Sequence, residues 1–144
     1  MLRRIGLFAA VLIFSVFGYA QRERGAETGS IRSSPAYAEI LLRKTELQAD
    51  LEAYSADYTE TNPKLLDTRF ELSSLDREME RLFAVRPSET SKLTLALGKL
   101  MVRKAAIATD LNRLSRSYSK EHPEVKRTAK KVDIFESAIK EILR

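Results

Sequence analysis

The chain has 144 residues, of which 44% are apolar, 31% charged and 8% aromatic, with no Cys, no Trp and a net charge of +5. That balance is too charged and too poor in aromatics for a thick globular core, so thin helical packing is expected. The missing cysteines exclude a disulfide framework, a thiolate metal site and a thiol nucleophile, and the single histidine, His122, excludes a multi-histidine metal centre.

Residues 1–20 begin Met-Leu-Arg-Arg, continue as an apolar run from Ile5 to Phe17, and end Gly18-Tyr19-Ala20. A basic start, an apolar stretch and small residues at the last and third-last positions describe a secretory signal peptide cleaved after Ala20. The alternative is an uncleaved inner-membrane anchor, although the run is shorter than the ~20 residues that span a bilayer comfortably. No cysteine follows it, which excludes a lipoprotein anchor. Either way the chain is expected to act outside the cytoplasm, in the periplasm or beyond. Residues 21–34, rich in Arg, Glu, Gly and Ser without periodicity, read as a flexible linker.

Sliding the rest of the chain against itself aligns residues 37–84 with 97–144, an offset of 60. Arg43-Lys44 meets Arg103-Lys104, Asp50-Leu51 meets Asp110-Leu111, Tyr58 meets Tyr118, Pro63 meets Pro123 and Thr68 meets Thr128. In each copy apolar residues recur in alternating steps of three and four, as on a coiled-coil seam: Ile40, Leu47 and Leu51 in one, Leu100, Ile107 and Leu111 in the other. After each proline the seam resumes, at Leu65, Leu72, Leu75, Met79 and Leu82 and again at Val125, Val132, Phe135, Ile139 and Ile142.

Each copy is therefore helix, turn, helix. The turns are Tyr58 to Pro63 and Tyr118 to Pro123, because proline disfavours helix in the residue before it and suits the first helical position itself. Asn62 is a natural N-cap and His122 a weaker one at the matching place. Helices are expected at about 35–59, 63–85, 89–119 and 123–143, the first opened by Ser34-Pro35 and the third capped by Ser88. Short connections make each pair antiparallel. The expected fold class is all-α: two tandem helical hairpins, residues 35–85 and 88–144, that either close into a four-helix bundle or pair with another chain.

Charge separates the copies. Residues 36–85 hold six Lys/Arg against eleven Asp/Glu, a net of −5, and residues 89–144 hold thirteen against seven, a net of +6. Such opposition favours attraction between hairpins, within a chain or between chains. The basic stretch Lys126-Arg127 and Lys130-Lys131 suits an anionic polysaccharide or lipid surface, while export argues against nucleic acid as a partner.

Lys44 and Lys104 sit on the seam where an apolar residue is expected. They either fix register or oligomeric state, with Glu80 a neighbour of Lys44 across the hairpin, or lay their stems along the seam and reach water. Tyr58 and Tyr118 are expected to close the hairpin ends with their rings over the seam. Met79, Met101, Glu78 and Glu80 could be imagined around a metal, but no His or Met cluster has ligand spacing, and no carboxylate pair marks a catalytic pocket. No cofactor is expected.

Tyr118-Ser119-Lys120-Glu121-His122-Pro123-Glu124-Val125 resembles the Tyr-x-x-x-His-Pro-x-Val turn in the periplasmic coiled coils of bacterial polysaccharide chain-length determinant (co-polymerase) proteins. Tyr58 to Leu65 is a weaker version with Asn62 in place of the histidine. The resemblance covers the hairpin turns and implies a shared hairpin tip. The two membrane helices and larger α/β domain of those proteins have no counterpart here. The expected function is a non-enzymatic structural or interaction protein of the bacterial envelope that binds a protein partner or itself through its seams. The alternatives are a periplasmic chaperone-like protein, a stress or metal-sensing adaptor, and an accessory to polysaccharide export.

Overall fold

The computed structural model describes residues 30–144. The leader, its cleavage point and residues 21–29 lie outside the described residues. Four α-helices carry the fold: α1 (Pro35–Asp57), α2 (Pro63–Phe83), α3 (Leu95–Ser117) and α4 (Pro123–Leu143), with a 3-10 segment at Pro87–Lys92 between the hairpins. No strand occurs among the described residues.

Each of the four prolines opens one of these segments, where its missing N–H is not needed. The residue before it caps three of them. Ser34 Oγ accepts from the Tyr37 amide at 3.2 Å, Asn62 Oδ1 from the Lys64 amide at 2.9 Å, and His122 Nδ1 from the Glu124 amide at 3.2 Å. Arg86, before Pro87, has no capping side chain, and Ser88 lies inside the 3-10 segment, so it does not cap the third helix as expected. Three-ten pairing carries the chain to Thr94, whose hydroxyl accepts from the Leu97 amide at 3.3 Å and caps α3 instead.

The two hairpin turns are copies of each other. Tyr58 and Tyr118 end their helices at φ/ψ of −124/152° and −129/151°, and Asn62 and His122 open the next at −61/132° and −60/134°. Inside each turn the amide before proline donates back three residues, Asn62 to Thr59 and His122 to Ser119. The helices stop at Asp57 and Ser117, two residues short of the expected ends. Because Tyr58 and Tyr118 then lie in extended backbone, their rings leave the seam and stay exposed, rather than covering it. Tyr58 packs edge-on to Tyr54 with Lys64 over both rings, and Tyr118 stacks on His122.

Within each hairpin the seams close: Ile40, Leu65, Leu75 and Leu82 are fully buried in the first, Leu97 and Ile139 in the second. The hairpins also pack on each other, through α3, which lies against α1 and α2 as well as α4. The α1–α3 contact is close because position 98 is glycine: a Cβ there would lie 2.9 Å from the Ala36 Cα and 3.0 Å from its carbonyl oxygen. The Ala36 amide donates to the Leu93 carbonyl at 3.2 Å across the same joint.

The expected linker ends earlier than Ser34. Residues 30–32 are helical and Ile31 is buried in the core. Beside it, Arg32 lies over the Phe83 ring at 5.9 Å.

Candidate functional site

Lys44 and Lys104 occupy equivalent places and each bonds a carboxylate 32 residues on, on the facing helix of its hairpin: Lys44 reaches Asp76, and Lys104 reaches Glu136 at 2.7 Å. Asp76 and Glu136 are themselves 60 residues apart, so the repeat preserves the pair. Glu80 is exposed and is not the neighbour of Lys44 that the register suggested. The stem of each lysine lies along the seam, and its ammonium ends on a carboxylate of the facing helix. These pairs fix which turn of one helix meets which turn of the other.

Lys104 does more than Lys44. It also bonds Glu78 of α2, and Arg81 of α2 bonds both Glu78 at 3.1 Å and Glu136 at 2.9 Å. Two cations and two carboxylates thus tie α2, α3 and α4 together, with Glu78 almost wholly buried. Burial pushes the Glu136 carboxyl up, but the hydrogen bonds from Lys104 and Arg81 outweigh it and hold the group at about 2. Further along the α2–α3 joint Asp67 bonds Arg116, and on the other side Glu71 accepts from Arg43 Nε of α1 at 2.9 Å. Among the described residues, every buried side-chain nitrogen or oxygen has a hydrogen-bond partner.

A second feature is an open groove of about 420 Å³ between the parallel helices α1 and α3. Its walls are repeat-related: Glu39, Leu42, Arg43 and Glu46 face Lys99, Val102, Arg103 and Ala106, each pair 60 residues apart. The groove mixes both charges with exposed apolar stems, which suits a polypeptide more than a small ligand.

Of the turn residues singled out in the sequence, Asn62, Pro63, His122 and Pro123 all serve the turns, and Tyr58 and Tyr118 end helices. They lie at the hairpin tips, apart from the ionic cluster. Met79 and Met101 are core residues, and Glu78 is engaged by two cations. No group of His, Asp or Glu able to hold a metal ion occurs among the described residues, and none of their helices is long and apolar enough to cross a membrane. Glu71 and Arg81, which sequence reasoning missed, and Glu78, which it weighed only for a metal, form the second face of α2. Their polar character hides them from a search for apolar stripes, although their steps of seven and three mark one helix face.

Comparison of the chain with protein-family models, with curated proteins and with solved structures finds no match.

Proposed function

We propose that this chain is a non-enzymatic helical interaction module of the bacterial envelope, exported by its leader and working by contact with protein. One observation carries the reading: two repeat-related hairpins stack side by side and leave a continuous mixed-charge groove along α1 and α3. Stacked helical hairpins generate extended binding surfaces of this kind. The seams themselves are closed inside the hairpins, so recognition falls to the groove and to the outer helix faces rather than to the seams. The charged groups support the same reading, since the buried carboxylates Glu71 and Glu78 are spent on joining helices.

The test is a photoreactive amino acid at Val102, in the groove, in the full chain within intact cells. Discrete protein adducts in the envelope fraction are expected. A chain recovered in the cytoplasm, or one giving no protein adduct from Val102, would overturn the proposal.

A further inference from the structure

The two hairpins contact each other as neighbouring units of a repeat array do. Hairpin 2 is met by hairpin 1 through the second face of α2, on which Glu71, Ser74 and Glu78 are buried. The corresponding face of α4, 60 residues on, is Lys131, Ile134 and Ala138. Among the described residues nothing covers it: Lys131 is exposed, Ala138 half-buried, and Ile134 is 59% exposed. An isoleucine stands open where the first repeat buries a serine.

The other end of the array is equally unfinished. On α3 the face that receives α2 includes Met101, Ala105 and Thr109, all buried. Its counterpart on α1 is Leu41, Thr45 and Ala49, all exposed, with Leu41 at 45%. One open face is therefore the donor half of the internal joint, and the other is the receiver half.

Resting on the reading of the chain as an interaction module, we propose that it associates head to tail with itself, the outer face of α4 in one molecule docking on the outer face of α1 in the next. The internal joint supplies the register. Glu78 lies beside Lys104, and Asp67 beside Arg116. Moved 60 residues along, Ala138 of one molecule lies beside Lys44 of the next, and Arg127 beside Ala56. Between these limits Ile134 and Lys131 fall opposite the stretch from Thr45 to Glu52.

Charge supports the pairing. The α4 face carries Arg127 and Lys131, the α1 face carries Glu52 with Asp57 at its end, and the molecule's two halves are oppositely charged overall. At the internal joint the acid is on the donor helix and the base on the receiver; at the external joint the signs are reversed. The interface is heterologous, so it propagates into chains or closes into a ring instead of stopping at a two-fold dimer. Small contact faces of this kind give weak association that high local concentration strengthens.

Because the chain has no cysteine, introduced ones report the contact alone. The full chain carrying both Gln48→Cys and Ile134→Cys, as recovered from cells, is oxidised and run without reductant. A ladder of dimers, trimers and longer species is expected, while a mixture of the two single variants gives only the mixed dimer. Glu52→Lys should lower the ladder yield about tenfold, the scale of a close charge pair, and Lys131→Glu in the same chain should restore it. Circular dichroism on each variant confirms that it is folded. Strong dimerisation of Ile134→Cys alone, an undiminished ladder in Glu52→Lys, or no ladder from the folded double variant would overturn the proposal. Loss of the ladder with protein adducts from Val102 retained would remove self-association and leave the module; a ladder without such adducts would do the reverse.

Discussion

Hairpin 1 and hairpin 2 turn through the same angles, yet they bury their second helices to different depths. Eight residues of α2 are buried against three of α4. The repeat thus separates two things that usually come together: local signals, meaning caps, prolines and seam, set the hairpin, while neighbours set how much of it is hidden. Hairpin 1 has α3 pressed against its open side, and none of the other described helices takes that place on hairpin 2.

The sharpest way to break the comparison is to truncate equivalent seam residues. Leu75 is fully buried and Phe135 only partly so. Leu75→Ala should therefore cost about 3 kcal/mol in denaturant unfolding, and Phe135→Ala about 1–2 kcal/mol despite the larger side chain. Equal losses would mean that the hairpins are equally covered.

The joint between hairpins can be probed through Gly98. In an ordinary helix Gly→Ala is stabilising, but here the added methyl meets the Ala36 backbone. Gly98→Ala should lose about 1–3 kcal/mol from overpacking. The matching position in hairpin 1, Ala38, is exposed, and Ala38→Gly should lose at most about 1 kcal/mol through helix propensity. A gain in stability at Gly98→Ala would place α1 and α3 apart.

Much of this was legible in the sequence, and what was not has a common cause. The 60-residue repeat, the seams and both Pro turns follow from apolar spacing and proline chemistry, signals that act within one hairpin. The starts of α1, α2 and α4 were readable for the same reason, through Ser34, Asn62 and His122. Thr94 was not, because Ser88 follows Pro87 and looks like a better start than the 3-10 turn it enters. Glu80 was the expected neighbour of Lys44 where Asp76 is the partner, since the two acids lie four residues apart on the same side of α2. The stacking through Glu78 and Gly98 uses polar and small residues, which carry no hydrophobic stripe.

The two lysine sites respond differently to charge removal and to acid. Glu136 is held at about 2 in the folded chain, well below the ordinary carboxylate value of 4.5. Its contribution to stability is complete above pH 4.5 and is lost as the pH falls from there toward about 2, an effect of about 1 kcal/mol once solvent screening is allowed for. The Glu136→Gln variant should lack that part of the acid dependence. Asp76→Asn, at the more exposed site, should cost no more than about 0.5 kcal/mol at neutral pH.

The caps give the finest distinction. Replacing Asn62 by Ala should cost about 1 kcal/mol, whereas His122→Asn should raise stability by a few tenths, roughly the difference between a strong and a weaker cap, as read from thermal unfolding. No change at either turn would show that the proline alone sets it.

The packing of the two hairpins through α3 is tested most directly by nuclear Overhauser contacts between Gly98 and Ala36 in isotope-labelled protein. The account predicts clear cross-peaks from the Gly98 α-protons to the Ala36 backbone and methyl protons, alongside those of each hairpin seam. Seam contacts present with the Gly98–Ala36 contacts absent would contradict it, leaving two hairpins joined only by their chain.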